Sequence, residues 1–153
     1  MAHEQDPAAI ARAIIDSNLY MVLGTADAAG VPWVSPVYYA PVGYGEFLWL
    51  SSPDAKHSRN LHSRREVAIV IFDSTATIST GQGVYMSAIA HEVSSDEVDG
   101  RIELFSRRSL EHGGRPFSVR DVDASSRLRL YTAAANDHFV LEPDRDLRVP
   151  VSP

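Results

Sequence analysis

Six or seven short segments with the composition of β-strands follow one another along this chain, and most of the connections between them are short. Short connections join antiparallel neighbours, whereas parallel strands need crossovers of a dozen or more residues. The sequence therefore predicts one antiparallel sheet. Closure of that sheet into a barrel would remove its exposed edges. The expected fold class is mainly β: a six- or seven-stranded antiparallel split barrel with flanking helices, formed by residues 1–153 as a single domain.

The expected elements follow from apolar spacing and from residues that begin and end helices. Helices are expected over 6–18, 53–63 and 95–112, with Asp54 as the cap of the second. Strands are expected over 19–25, 31–40, 46–52, 67–72, 85–93, 127–133 and 138–141. Pro32 and Pro36 in the second strand cannot donate ladder hydrogen bonds. This strand should lie at an edge, at a bulge, or against something other than a neighbouring strand.

Composition excludes several classes of protein. The chain has no cysteine, which excludes disulfide scaffolds, thiolate zinc sites and cysteine nucleophiles. The formal net charge of -6 argues against nucleic acids and anionic membranes as partners. No apolar run has the length of a membrane span, and the first ten residues lack the order of a signal peptide. A cytoplasmic location is the resulting expectation.

No pattern in the sequence carries catalysis by itself. The six histidines lack the spacing of a metal site, and no Gly-x-Ser-x-Gly motif is present. Glu97 and Asp99 lie on a predicted helix whose charges follow the helix dipole, with a Glu103 to Arg107 pair expected, so this helix is interpreted as scaffold. If the protein is an enzyme, a cofactor is expected to supply the chemistry, and no catalytic residue or metal ligand is assigned.

One constellation stands out from this background. Strand segment 32–39 is followed by strand segment 47–52 and then by 53–61, which contains Lys56, the only lysine among 14 Lys and Arg residues. This order resembles the pyridoxamine 5'-phosphate oxidase-like family of FMN-binding split barrels. Charge alone would equally fit a solvated helix face.

The resemblance implies a flavin site built on three segments. It places the backbone of the second strand along the flavin, serines at the end of the third strand, and basic residues of the next helix at the phosphate, where a helix N-terminus favours an anion. A polar residue later in the chain is expected across a dimer interface. The implied cofactor-binding residues are Val34, Ser35, Pro36, Val37, Leu50, Ser51, Ser52, Lys56, His57, Arg59 and Gln82.

Departures from the family pattern argue against one function, that of a true pyridoxamine phosphate oxidase. Ser35 stands where a true pyridoxamine phosphate oxidase has Arg, Lys56 and His57 stand where it has Arg-Lys, and its C-terminal substrate segment is absent. The chain therefore looks like a short member of the family rather than a true pyridoxamine phosphate oxidase. Among such members some use FMN, some an 8-hydroxy-5-deazaflavin coenzyme, and some bind haem.

Two functions remain open at this point. The first is an oxidoreductase that binds FMN, or a deazaflavin, between the subunits of a homodimer and transfers hydride to or from an unknown small organic substrate. The second is a module that holds flavin or haem without turnover. Segments 67–72 and 81–83 are the expected interface elements. Four aromatic residues are candidates either to line the site or to fill the barrel core: Trp33, Tyr38, Tyr39 and Trp49.

Overall fold

The computed structural model describes residues 5–153, which form three helices and nine strands. The helices are α1 (Pro7–Ser17), α2 (Lys56–Ser63) and α3 (Val98–Glu111), followed by a 3₁₀ turn at Val119–Asp121. The strands are β1 (Tyr20–Ala26), β2 (Pro32–Tyr38), β3 (Ala40–Val42), β4 (Glu46–Ser51), β5 (Glu66–Phe72), β6 (Gly83–Glu92), β7 (Arg129–Ala135), β8 (Phe139–Leu141) and β9 (Arg148–Pro150). None of the helices in this range has the length and apolar composition that a membrane crossing requires.

The sheet is antiparallel and curls back on itself. Its strand order is β2-β1-β5-β6-β7-β4-β3, and β8 adds to β6 and β9 to β8. Only Tyr39 separates β2 from β3, so the two ends of this order are consecutive in the chain. The sheet therefore closes into a split barrel, as the short connections predicted.

Tyr39 lies between β2, which pairs with β1, and β3, which pairs with β4. Its side chain is fully buried, and its hydroxyl donates to the Ile15 carbonyl of α1 at 2.7 Å. Its carbonyl accepts from Arg108 Nε of α3 at 3.1 Å. The expected single strand over 31–40 is therefore broken at Tyr39, which both helices bind, although its N–H still donates to the Leu19 carbonyl at 3.2 Å.

Two apolar cores stabilise the fold. The barrel interior is filled from every long strand and is closed by Ile15 of α1 and Leu61 of α2. The second core lies between α3 and the outer face of β3, β4 and β7, where Ile102 and Phe105 pack against Leu48. One outer side of the barrel is thus covered by a helix.

Three expectations about the helices are corrected. Ala55, not Asp54, precedes α2, and no side chain caps it; the Asp54 backbone N–H donates to Ser52 Oγ at 3.1 Å. Helix α3 begins at Val98, later than expected. The ion pairs of α3 within residues 5–153 are made by Arg101, which contacts Glu46 of β4 at 2.7 Å and Glu97 at 3.7 Å, and not by a Glu103 to Arg107 pair.

We expect Glu97→Ala to leave cofactor binding unchanged and to cost at most about 1 kcal/mol of unfolding free energy, because Glu97 is half exposed and its ion pair is long. Glu46→Ala is the matched control with a larger expected loss, since Glu46 Oε1 accepts from both Arg101 and Thr132. Urea denaturation of both variants measures the two costs. A Glu97→Ala protein that is folded but has lost its ligand would contradict the scaffold role of α3.

Candidate functional site

The barrel is split between β2 and β4. Strand β2 pairs along its whole length with β1 and with no other strand of residues 5–153. Strand β4 pairs with β3 only over Glu46–Leu48, so beyond Leu48 its edge on that side is free. The split is therefore bordered by two unpaired backbone edges. Pro32 and Pro36 lie on such an edge, as their missing N–H groups predicted.

The implied flavin-binding residues of β2 divide between the two faces of the strand. Ser35 is opposite Leu23 and Val37 is opposite Met21, and both partners are fully buried, so these two side chains face the barrel interior. Val34 and Pro36 face outward and are exposed. The backbone of all four residues lies along the free edge.

Ser51 and His57 meet at the end of β4. Ser51 Oγ and His57 Nε2 share a hydrogen bond of 2.8 Å, and each residue is only 8% exposed. Burial lowers the pKa of the His57 imidazole. A neutral, buried imidazole fixes the position of the Ser51 hydroxyl and brings no positive charge to the surface, so the surface cations here are Lys56 and Arg59.

This pKa shift gives an expected pH dependence of stability. The unfolded chain protonates its histidines below pH about 6.5, whereas folded His57 resists protonation, so stability is lost as the pH falls from the unfolded pKa toward the folded one. The slope from one such group is at most about 1.4 kcal/mol per pH unit. His57→Gln should flatten the dependence between pH 7 and 5, whereas His62→Gln, at an exposed position of the same helix, should not. Parallel urea-denaturation profiles for wild type and His57→Gln would contradict this.

The start of α2 is suited to an anion. Its first N–H groups have no side-chain cap, and they carry the positive end of the helix dipole. Lys56 is exposed at this point, with its Nζ 5.2 Å from the centroid of the Trp33 ring. None of the ion pairs formed by residues 5–153 includes Lys56 or Arg59. Asp54, also exposed, is an opposing charge close by.

Helix α2 is held in place by two successive side-chain hydrogen bonds that the sequence did not indicate. Asn60 Nδ2 donates to Thr25 Oγ1 at 3.0 Å, and Thr25 Oγ1 donates to the Trp33 carbonyl at 3.4 Å. Asn60 and Thr25 are both buried. Because these partners are far apart in sequence, no local pattern could have indicated them. These hydrogen bonds connect α2 to β1 and β1 to β2, the strand that borders the split.

The outer face of β2, β1, β5 and β6 carries exposed apolar side chains, with the polar residues Ser87 and Arg148 among them, and is not covered by a helix of residues 5–153. Val34 is 65% exposed and Phe72 is 46% exposed. A cavity of about 330 Å³ lies on this face, with Gly24, Ala68 and Val70 among its lining residues. The expected interface segment 67–72 thus presents half of its side chains to the outside.

Gln82 lies away from the split. Its amide donates to the Leu141 carbonyl at 2.7 Å and accepts from the Leu141 N–H at 3.0 Å, which joins β8 to the start of β6. It lines a larger cavity of about 1230 Å³ near the start of α1. Within one chain the structure does not bring Gln82 together with Lys56.

Three of the four candidate aromatic residues are packing residues. Tyr39 and Trp49 are fully buried, with Trp49 stacked on Tyr131 at 5.6 Å. Tyr38 packs edge-on against Phe105 at 5.6 Å. Trp33, at 46% exposure, is the member of the four that remains at the surface of the site.

These features define the chain as a split β-barrel protein. The family model described as pyridoxamine 5'-phosphate oxidase matches residues 8–139, and the chain belongs to that family. The match confirms the family resemblance seen in segments 32–39 and 47–61.

Solved structures share the fold at low sequence identity. HutZ, the heme storage protein of Vibrio cholerae, is 18% identical with a TM-score of 0.67, over 86% of this chain and 92% of HutZ. A heme binding protein of Mycobacterium smegmatis is 19% identical (TM-score 0.70; 97% of this chain, 59% of that one). Campylobacter jejuni ChuZ is 13% identical (TM-score 0.72; 97% and 61%). No curated protein sequence matches the chain.

Proposed function

We propose that this protein binds FMN in the split and acts as a homodimeric oxidoreductase on a small organic substrate. The observation that carries the proposal is the pair of free backbone edges on β2 and β4, which lead to the uncapped start of α2. An elongated ligand with a polar planar ring and a phosphate end matches this arrangement. FMN has that chemistry, and the family to which the chain belongs is described by a phosphate-bearing substrate.

The residues present fit the phosphate end of FMN. Lys56 supplies an exposed ammonium group, Arg59 a second exposed cation, and the first turn of α2 supplies N–H groups. Ser52 Oγ lies beside the helix start, where it already accepts from the Asp54 N–H. Hydroxyls, a cation and helix N–H groups together form a common type of phosphate cradle.

The chain's own residues orient and shield the cofactor. FMN, when bound, supplies the hydride chemistry. The backbone of Val34, Pro36 and Leu50 at the free edges offers hydrogen-bonding groups, and Ser51 is held by His57. We assign no side chain of the site a catalytic step, because the flavin itself carries the hydride.

The homodimer is proposed from the uncovered outer face. Helix α3 covers β3, β4 and β7. The opposite side of the barrel carries four exposed apolar residues, Val34, Ala68, Phe72 and Ile89. Exposed apolar side chains grouped on one face are typical of an interaction surface. A second copy placed by a twofold axis is the commonest way to cover one, and it would also exclude water from the edge of β2.

Two other ligands compete with FMN in this proposal. Haem is favoured by one observation: HutZ and the Mycobacterium smegmatis protein, which share the fold, are described as a heme storage and a heme binding protein. A deazaflavin coenzyme would use the same split and the same cations. FMN is preferred because the site offers a phosphate cradle. Haem would be expected to need a free histidine at the site, but His57, which follows β4 directly in α2, is buried and already bonded to Ser51.

An anaerobic reduction experiment tests the enzymatic half of the proposal. Protein loaded with FMN should lose its flavin absorption when NADH or NADPH is added, and the absorption should return when an electron acceptor is supplied. Free FMN at the same concentration is the control. FMN that stays bound and oxidised through this treatment would indicate the binding module instead.

A further inference from the structure

The single lysine of this chain rests on one of its two tryptophans. Lys56 Nζ lies 5.2 Å from the centroid of the Trp33 ring, within the range of a cation–π contact. Lys56 is the first residue of α2, and Trp33 is the second residue of β2. The contact therefore joins the helix that offers the anion site to the strand that borders the split.

The fold holds both partners of this contact independently of any ligand. The Trp33 carbonyl accepts from Thr25, and Thr25 accepts from Asn60, one turn along α2 from Lys56. Because Thr25 and Asn60 are buried, this connection fixes the helix relative to the strand. The long lysine side chain is then restrained by the ring rather than by its backbone alone.

An aromatic partner restrains a cation without neutralising it. A carboxylate partner would also hold Lys56 in place, but it would cancel the charge that an incoming anion needs. No carboxylate of residues 5–153 lies within ion-pair distance of Lys56. The ammonium group beside the start of α2 therefore forms no ion pair, although the exposed Asp54 lies two residues before it in sequence.

We propose that Trp33 is a specificity-determining residue that positions Lys56 for the terminal phosphate of the ligand, and so selects phosphorylated over unphosphorylated flavin. This inference rests on the proposed FMN site. Trp33 acts through Lys56 and is a positioning residue. A cation–π contact at an exposed site corresponds to a two- to fivefold change in affinity.

A double-mutant cycle tests the coupling. Trp33→Leu should weaken FMN about two- to fivefold and leave riboflavin unchanged, and Trp33→Phe should restore most of the loss. Added to Lys56→Ala, Trp33→Leu should have no further effect on FMN. Equal weakening of both flavins, or additive effects in the double variant, would overturn the proposal. Thermal unfolding shows whether Trp33→Leu is folded; if it is not, Trp33→Met, which also removes the aromatic ring, takes its place.

A second measurement does not depend on flavin binding. Reductive ¹³C-methylation labels the side chain of Lys56 and the chain's amino terminus, so Lys56 gives one side-chain NMR signal. That signal should show a ring-current shift in wild type that disappears in Trp33→Leu, and inorganic phosphate should move it. If FMN fails to bind but these shifts are present, the proposed function fails and the positioning role stands. An unshifted Lys56 signal in wild type would overturn the positioning role itself.

Discussion

Replacing Lys56 with alanine is expected to weaken FMN binding about ten- to a hundredfold. A hydrogen bond to a charged group contributes roughly 1.5–3 kcal/mol, and each ~1.4 kcal/mol is a factor of ten in affinity. Lys56 is exposed at the uncapped start of α2 and forms no ion pair within residues 5–153, so its removal should cost the fold little. The expected loss therefore falls on the ligand.

Riboflavin, which lacks the phosphate, separates this effect from a general one. Its affinity should be nearly the same in wild type and Lys56→Ala. Arg107→Ala removes an exposed cation from α3 and controls for the change in net charge. Titration of both flavins by fluorescence measures all of these affinities. Equal FMN affinity in wild type and Lys56→Ala would show Lys56 to be an ordinary surface residue and leave the phosphate to Arg59 and the helix start.

A carboxylate placed on the uncovered outer face should abolish the dimer and, with it, tight FMN binding. Ala68 is exposed at the cavity on this face, between Gly24 of β1 and Ser87 of β6. The cation of this cavity, Arg148, already interacts with Asp137, so the added carboxylate would lack a counter-ion of its own. Burying it costs several kcal/mol, which corresponds to more than a hundredfold in the dimer dissociation constant. The single chain should tolerate Ala68→Glu, because this position is open to solvent.

Sedimentation velocity distinguishes the outcomes for this variant. Wild type should sediment as a dimer and Ala68→Glu as a folded monomer with an unchanged far-ultraviolet spectrum. Ala124→Glu, in an exposed loop before β7, adds the same charge elsewhere and should remain dimeric. A dimeric Ala68→Glu protein would place the interface on another face, and a monomer with undiminished FMN affinity would separate the cofactor site from the interface.

Much of the fold was predictable because burial imposes a local pattern. Residues 67–72 are a continuous apolar run, which predicted a strand, and the structure places Val67, Ile69 and Ile71 inside, opposite Met86 and the other inward residues of β6. Short turns then require antiparallel neighbours. The prolines of β2 even indicated the free edge, since a missing N–H is tolerated where no strand pairs.

The unpredicted features depend on contacts between distant segments. Tyr39 breaks the second strand because α1 and α3 both bind it. Asp54 looks like a cap by position, yet its side chain does not serve α2. These outcomes are set by tertiary packing, which overrides local propensity.

In the candidate site, too, some features follow from local sequence and others depend on distant contacts. Sequence order placed Lys56 at a helix start, and the structure confirms that Lys56 begins α2 and is exposed there. The same order placed His57 beside it as a second phosphate ligand. The orientation of the helix, which no local pattern specifies, turns His57 inward to Ser51 and Lys56 outward to Trp33.

Native mass spectrometry of the protein with FMN, a deazaflavin coenzyme and haemin in equal amounts tests the central claim most directly, because it reports the ligand and the assembly together. The account predicts a dimer that carries two FMN molecules, one for each split. A monomer, or a dimer that takes haemin and no FMN, would contradict it.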